Sequence, residues 1–252
     1  MTEPRRDRGA ALVTGGARRI GRTLCLALAE AGFDVAIHHN ESADEADSLK
    51  TEIEAVGRRA CAVRADLADV VATAGIVGEA AAALGPLTLL VNNASVFEDD
   101  RLETITGASW NAHLDINLRA PVLLAQTFAA QAPAGSSIIN ILDQRVLKPN
   151  PQFFSYSLSK AGLWFATRTL AQALAPRIRV NGVGPGPTLP SIHQSPEDFA
   201  AEAANVPLQR RSTPEAIARA VLYLVDAEEV TGQMIAVDGG QHLAWLTPDI
   251  PE

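Results

Sequence analysis

The sequence predicts an α/β protein that forms one doubly wound domain around a parallel sheet, and three features of the chain lead to this prediction. Seven short apolar runs are spread over its 252 residues, and each run closes with Gly, Asn, Asp or Pro. Near-continuous apolarity over so few residues is typical of strands that are buried on both faces. Helix-like segments separate the runs, and this alternation implies right-handed crossovers between parallel strands.

The positions of the elements follow from these patterns. Strands are predicted at 10–15, 33–39, 59–65, 87–94, 136–142, 178–185 and 234–240. Helices are predicted at about Ile20–Ala31, Ala43–Val56, Val70–Leu84, Ser109–Ala132, Ser155–Ala175 and Pro214–Val225. Ser42 and Thr213 stand where helix N-caps are expected, and Gly32 and Gly57 stand where helices end.

No internal repeat or linker divides the chain. Residues 1–252 are therefore predicted to form a single domain, with loose tails at 1–9 and 247–252. The segment 189–209 contains three prolines and has no pattern that predicts an element.

Composition and charge argue against several classes of function. The formal net charge is −8, so neither nucleic acid nor an anionic membrane surface is expected to attract the protein. No apolar stretch suits a signal peptide or a membrane span. The two cysteines, Cys25 and Cys61, are predicted to be reduced, which indicates a cytoplasmic protein. His38 and His39 point to opposite faces of a strand and the other histidines are scattered, so no metal site is expected.

A glycine-rich segment, Thr14–Gly21, joins the first strand to the first helix. Glycine lets the backbone turn tightly and approach a pyrophosphate, and a helix N-terminus offers free N–H groups and partial positive charge. This context predicts a dinucleotide cofactor in a domain of the Rossmann type. Arg18 and Arg19 favour the extra phosphate of NADP(H). Glu41, just after the second strand, counts against a phosphate, so NAD(H) remains the alternative.

Tyr156 and Lys160 are four residues apart at the start of a predicted helix, so they share one helical face. A nearby cation stabilises phenolate and is expected to lower the pKa of Tyr156. The tyrosine can then exchange the proton that accompanies a hydride transfer.

Taken in order, TGxxxxIG after the first strand, NNA after the fourth and YxxxK after the fifth resemble the short-chain dehydrogenase/reductase family over about Ala10 to Leu243. The resemblance implies a small-molecule substrate and a homotetramer. It also implies that Asn117 holds a water linking Lys160 to bulk solvent and that Thr188 meets the nicotinamide carboxamide. The cofactor-binding residues expected from the motifs are Gly15, Arg18, Arg19, Ile20, Gly21, His39, Asn40, Ser42, Asp66, Leu67, Asn93, Ala94, Ser95, Tyr156, Lys160, Pro185, Gly186 and Thr188.

Two departures from the family's commonest pattern are informative. The usual catalytic serine is replaced by Asp143, and the middle glycine of the first loop is replaced by Arg19. Together they resemble the pteridine reductase branch, which includes dihydromonapterin reductases. That resemblance implies a substrate site formed by Arg19, Ser95, Phe97, Asp143 and Tyr156. In it, Ser95 and Phe97 would contact the pterin, and the Phe97 ring would form a sandwich with the nicotinamide. The expected catalytic residues are Asp143, Tyr156, Lys160 and Asn117.

The resulting hypothesis is an NADPH-dependent reductase of a dihydropteridine or dihydrofolate-like ring, because a carboxyl group beside Tyr156 can relay a proton to a ring nitrogen. Reduction of a ketone or alcohol substrate, such as a 3-oxoacyl group, is the alternative within the enzyme class. A catalytically silent NADP-binding sensor or scaffold is the alternative outside it. Phe97 as core packing, Arg19 as a surface arginine and Ser95 as a turn residue remain open, and 98–100 is expected to be a solvated loop.

Overall fold

The computed structural model describes residues 7–190 and 195–245 and confirms the predicted fold class. Seven strands form one parallel sheet in the order β3-β2-β1-β4-β5-β6-β7. The strands are β1 Ala10–Val13, β2 Asp34–His39, β3 Ala60–Arg64, β4 Leu87–Asn92, β5 Ser136–Ile141, β6 Ile178–Pro185 and β7 Met234–Val237. The helices are α1 Arg19–Glu30, α2 Ala43–Ala55, α3 Val70–Leu84, α4 Gly107–Leu114, α5 Ala120–Gln131, α6 Phe154–Leu174, α7 Pro196–Ala204 and α8 Pro214–Asp226.

Apolar side chains fill both faces of the sheet, as the near-continuous strand runs predict. Helices α1, α2 and α8 pack on one face, and α3, α5 and α6 pack on the other. Alternate residues of β1 divide between the two layers, since Val13 joins the first and Leu12 the second. Phe128 of α5 is fully buried in the second layer, and burying a side chain of this size contributes roughly 2–3 kcal/mol.

A chain of buried polar side chains joins the sheet to helix α6. The Asn92 amide donates to the Asn140 side-chain oxygen at 2.8 Å, and the Asn140 amide donates to the Thr167 hydroxyl at 2.8 Å. All three residues lie at or below 3% exposure. Buried polar groups are costly unless they are paired, so these bonds fix α6 relative to β4 and β5.

Three local features differ from the sequence prediction. The helix expected over Ser109–Ala132 is divided into α4 and α5 by a π-helical turn at Asp115–Arg119. Helix α7 lies inside the segment that had no predicted element. Ser42 stands at the N-cap of α2, but its side chain makes no capping hydrogen bond. Thr213 does cap α8, by accepting from the Ala216 N–H.

One residue of the predicted N-terminal tail, Arg8, is held against the domain. Arg8 is paired with Asp226 of α8, and its carbonyl accepts from the Thr88 hydroxyl at 2.8 Å. The rest of that tail and all of the predicted C-terminal tail lie outside the described residues, apart from Asp7 and Gly9. Within 7–190 and 195–245, no helix has the length and apolarity to cross a bilayer. The same residues contain no cluster of side chains suited to a metal ion.

Candidate active site

A cavity of about 1200 Å³ opens at the carboxyl ends of the strands. It is lined by the connections that follow β1, β2, β3, β4, β5 and β6, and by α7. In doubly wound sheets this edge is where ligands bind, because the loops diverge where the strand order reverses. Here the order reverses between β1 and β4.

The glycine-rich segment forms one end of this cavity and leads into α1. Gly15 has a φ of +60°, a conformation that L side chains rarely adopt. Gly21 has no room for a Cβ atom, which would lie 2.0 Å from the Gly15 carbonyl oxygen. Arg19, in the place of the usual middle glycine, also has a positive φ, of +53°. The loop therefore keeps a glycine-like backbone and brings the N-terminus of α1 to the cavity, where it can receive a phosphate.

His38 supports this loop, a contact that sequence reasoning did not identify. Its Nδ1 accepts the Gly15 N–H at 3.1 Å, and its Nε2 is 3.1 Å from the Ala65 carbonyl oxygen. Since Nδ1 is an acceptor, the proton resides on Nε2 and the ring is neutral. Burial lowers the pKa of His38 from 6.5 to about 4. His39, which was predicted to bind the cofactor, is buried and does not line the cavity, because alternate residues of β2 face opposite sides.

The expected 2′-phosphate region is rich in charges of both signs. Arg18 is exposed and lies 3.8 Å from Glu45. Asn40 lines the cavity, and its carbonyl oxygen accepts from Arg64 Nε at 3.2 Å. Ser42 does not line the cavity, because it stands past the strand end at the start of α2.

Tyr156, Asp143 and Lys160 meet at the floor of the cavity. The Tyr156 hydroxyl donates to Asp143 Oδ2 at 2.8 Å. Lys160 Nζ donates to the Ile141 carbonyl oxygen at 2.9 Å and lies 5.8 Å from the centre of the Tyr156 ring. Asp143 lies two residues after the end of β5, and Tyr156 lies in the first turn of α6, so the phenol is placed against the end of the strand.

The electrostatics of Tyr156 differ from the sequence prediction. Burial and then the Asp143 carboxylate raise the pKa of Tyr156 well above its usual value, and Arg145 partly opposes this. The expected lowering of this pKa by Lys160 is not found, since burial and a carboxylate in direct contact outweigh the ammonium. Burial lowers the pKa of Lys160 to about 8, against the attraction of Asp143. At neutral pH the Tyr156 phenol is therefore protonated.

Two residues beside Tyr156 and Asp143 were not identified from the sequence. Phe153 stacks on Phe97 with ring centres 4.2 Å apart, and Phe97 meets Tyr156 edge to face at 4.7 Å. Arg145 is hydrogen-bonded to Asp143 and lies near both phenylalanine rings. The available sequence signal was proximity along the chain, since Arg145 is two residues after Asp143 and Phe153 is three before Tyr156. Nothing in the residue types indicated that they contact Asp143 or Phe97.

Asn117 lies in the π-helical turn and is fully buried. Its side-chain oxygen accepts the Val96 N–H at 2.8 Å, and its amide donates to the Val96 carbonyl oxygen and the Ser159 hydroxyl. The side chain therefore fastens the connection after β4 to α6 and does not line the cavity. Its predicted role in holding a water stays a prediction.

Most of the predicted site residues do line this one cavity. They are Gly15, Arg18, Arg19, Ile20, Gly21, Asn40, Asp66, Leu67, Asn93, Ala94, Ser95, Phe97, Asp143, Tyr156, Lys160, Pro185, Gly186 and Thr188. Arg19 also reaches across the cavity, where its guanidinium donates to the Pro190 carbonyl oxygen at 3.0 Å. Ser95 is exposed, and its hydroxyl donates to the Val96 carbonyl oxygen at 3.3 Å.

Comparison with known proteins gives one family and several close relatives. The family model described as Enoyl-(Acyl carrier protein) reductase matches residues 15–242. Among curated proteins, the chain is 33% identical over 241 residues to 3-oxoacyl-[acyl-carrier-protein] reductase FabG of Staphylococcus aureus, covering 93% of this chain and 98% of the relative.

Several solved structures are similar in both sequence and shape. FolM Alternative dihydrofolate reductase 1 from Brucella canis, complexed with NADP, is 51% identical, with a TM-score of 0.94 and coverage of 97% of this chain and 98% of that one. A short chain dehydrogenase from Burkholderia cenocepacia in complex with NADP is 34% identical, with a TM-score of 0.89 and coverage of 94% and 99%.

Proposed function

The chain belongs to the short-chain dehydrogenase/reductase family, and from this premise we propose that it reduces a dihydropteridine or dihydrofolate-like ring with NADPH. The observation that carries the proposal is the 2.8 Å hydrogen bond from the Tyr156 hydroxyl to Asp143 beside Phe97. A carboxylate stands where a ketone reductase of this family is expected to have a hydroxyl.

The cofactor is NADP(H), and the residues of the cavity suit it. The N-terminus of α1 and the glycine-rich segment would hold the pyrophosphate. Arg18 would pair with the 2′-phosphate, while Lys160 and Asn93 would hold the ribose. Thr188 lines the cavity and would meet the nicotinamide carboxamide, as the family pattern implies. When bound, the dinucleotide supplies a hydride.

The residues of the chain supply the proton. As a hydride adds to the carbon of a ring C=N bond, the nitrogen gains an electron pair and needs one proton. Tyr156 is the donor, since its raised pKa keeps the phenol protonated at neutral pH. Asp143 accepts the phenol's hydrogen bond and orients it. Lys160, buried within reach of both groups, stabilises the negative charge that remains after the transfer.

The flat aromatic surface of Phe97 also suits a ring substrate, because stacked aromatic groups gain energy beyond area burial. The similarity to the FolM alternative dihydrofolate reductase of Brucella canis supports the same substrate class. Ketone reduction is the second candidate, and the 33% identity to a 3-oxoacyl reductase favours it. A silent NADP-binding sensor is the third, but it has no need of a buried phenol–carboxylate–ammonium group.

Asp143→Ala tests the first proposal. We expect the variant to bind NADPH as the wild type does, but to lose at least about 100-fold in dihydrobiopterin and dihydrofolate reduction, the usual size of an acid–base contribution. The loss of NADPH absorbance measures turnover, and fluorescence titration measures binding.

Asp143→Ser is the matched variant, because it restores the hydroxyl expected of a ketone reductase. A gain of ketone reduction in this variant, with dihydropterin reduction lost, supports the role of the carboxylate. Wild-type turnover of a small ketone panel with none of either dihydro-ring would establish the second candidate. Tight NADPH binding without turnover of any of these compounds would establish the third.

We also propose a cytoplasmic homotetramer. Helices α4, α5 and α6 present large apolar side chains to the outside, among them Phe165 at 67% exposure. The C-terminal segment adds Leu243 and Trp245, the latter 66% exposed, while Leu246 lies outside the described residues. Exposed apolar patches of this kind mark association surfaces. Cys25 and Cys61 are free thiols, which suits a reducing compartment.

A further inference from the structure

Asp143 places a second negative charge beside the phenolate that forms when Tyr156 gives up its proton. When a tyrosine gives up its proton beside a serine, one ammonium balances one phenolate. Here the same transfer leaves a phenolate in contact with a carboxylate, since the two groups share a 2.8 Å hydrogen bond. Lys160 supplies one positive charge to this pair. Like charges in contact oppose ionisation strongly, so a second cation is required.

Arg145 is in the position to supply it. Its backbone N–H donates to Asp143 Oδ1 at 2.8 Å, and its guanidinium Nη1 donates to Oδ2 at 3.3 Å. Oδ2 is also the atom that accepts from Tyr156. The side chains of Arg145 and Asp143 are only 18% and 13% exposed, so their attraction is screened less than that of a surface pair.

The phenylalanine pair holds the arginine in this place. The guanidinium carbon is 5.5 Å from the centre of Phe97 and 5.2 Å from that of Phe153. Because these centres are only 4.2 Å apart, the guanidinium lies beside the stacked pair and not above either outer face. Its Nε is buried and has no hydrogen-bond partner among the described residues. Since such an orphan donor costs free energy, the charge is not there for fold stability alone.

We propose that Arg145 is a positioning residue that balances the charge of Asp143, so that the Tyr156–Asp143 pair can release a proton to the substrate. The inference rests on the proposed function, because it concerns the proton step of that reaction. Before transfer, the carboxylate is matched by Arg145. After transfer, the proton is on the ring nitrogen, and Lys160 and Arg145 together balance the phenolate and the carboxylate.

Other titratable groups also lie around the Tyr156–Asp143 pair. Lys160 comes from α6, and His113 of α4 has its ring centre 6.0 Å from that of Tyr156. Burial lowers the pKa of His113, so this ring stays neutral. Across the cavity, the lining includes the charged side chains of Arg18, Arg19, Asp66, Asp99, Arg101, Asp198 and Glu202. Of all these groups, Arg145 is the cation that is hydrogen-bonded to Asp143.

The test compares the pH profiles of dihydrobiopterin reduction for Arg145→Met, Arg145→Lys and the wild type. Arg145→Met keeps the apolar contacts and removes the charge. We expect kcat to fall about 10-fold or more, with little change in the KM for NADPH. The alkaline limb should move up by about one pH unit, because removing a cation raises the pKa of both Tyr156 and Lys160. Arg145→Lys should restore most of the rate and the profile.

Arg168→Met is the matched control. It removes a cation from an exposed position on α6, about three turns beyond Tyr156, and should leave the profile in place. A shift in both variants would indicate a general charge effect and overturn the proposal. An unmoved profile in Arg145→Met would overturn it as well.

A measurement without substrate separates this proposal from the proposed function. The chain has two tyrosines, so Tyr223→Phe leaves Tyr156 as the single one. With this tyrosine replaced by difluorotyrosine, which titrates at lower pH, ¹⁹F NMR follows the phenol directly. Arg145→Met should raise its midpoint by about one pH unit. If the wild type reduces no dihydropterin and the midpoint still moves, the substrate assignment fails but the role of Arg145 stands. An unmoved midpoint would contradict that role.

Discussion

Single side chains set the shape of the cofactor loop. His38 joins the Gly15 N–H to the Ala65 carbonyl oxygen through its two ring nitrogens. Only the neutral ring can do this, because a protonated Nδ1 has no lone pair for the Gly15 N–H. A buried histidine of β2 thus holds the glycine-rich segment in its turn.

Stability should depend on pH through this residue. The pKa of His38 is lowered from 6.5 to about 4 in the folded state, so the unfolded chain binds the extra proton first. This contribution is present above about pH 6.5 and is lost as the pH falls through 4, about 3 kcal/mol in all. The free energy of unfolding, measured with urea at several pH values across this range, should therefore fall less with pH in His38→Asn than in the wild type, by a similar amount. An equal fall in the two proteins would contradict the prediction.

Contacts between elements place Tyr156. Helix α6 begins at Phe154, and Ser155 is bonded on both sides: His113 Nδ1 is 2.6 Å from its hydroxyl oxygen, and the hydroxyl donates to Asp100. His113 Nε2 accepts the Glu98 N–H at 3.1 Å. The expectation of a solvated loop at 98–100 is wrong for Asp100, which is 2% exposed. Burial disfavours its charge, but the hydrogen bonds from Ser155 hold the pKa of Asp100 below its usual value.

Removal of the Ser155 hydroxyl should therefore lower both the stability of the fold and the turnover. We expect Ser155→Ala to lower the free energy of unfolding by roughly 2–3 kcal/mol, because it leaves buried polar groups of Asp100 and His113 unsatisfied. Turnover should fall while NADPH affinity is kept. Ser157→Ala, which removes a longer bond of 3.5 Å to the Gln152 carbonyl oxygen, is the control, with an expected loss below about 0.5 kcal/mol. Equal losses would disprove the role of the network.

At the scale of the whole molecule, the proposed tetramer gives the exposed apolar helix faces a partner. Phe165 on α6 is more exposed than most large apolar residues of the chain. In the C-terminal segment, the Ala244 carbonyl oxygen accepts from the Lys148 ammonium at 2.6 Å. This bond holds the segment against the connection after β5.

Size-exclusion chromatography with light scattering tests this assembly. The wild type should elute at about four times the 26.6 kDa chain mass, and Phe165→Glu should reduce the mass to a dimer or monomer because burying an unpaired carboxylate is costly. Val71→Glu, at an 82% exposed position on α3, should leave the mass unchanged. A truncation after Gly240 tests the C-terminal contribution. A monomeric wild type would exclude the proposal.

Helix α7 was not predicted from the sequence. Its start carries a readable signal, since Ser195 caps the helix by accepting the Asp198 N–H at 3.0 Å, Pro196 stands in the first turn, and acidic residues follow. Because the segment 189–209 also contains three prolines, no helix was predicted there. The π-helical turn at Asp115–Arg119 has no comparable local signal, because it depends on how Asn117 meets Val96 and Ser159.

By itself the sequence determined the seven strands, the approximate positions of six helical segments, the parallel sheet and the glycine-rich segment after the first strand, because hydrophobic period and glycine placement are local properties of the chain. It also brought Tyr156, Lys160 and Asp143 to one place through their positions at strand and helix ends. Only the tertiary structure decided which groups touch. The raised pKa of Tyr156, the pairing of Arg145 with Asp143 and the support of Gly15 by His38 depend on burial and on distances of about 3 Å, which residue order does not encode.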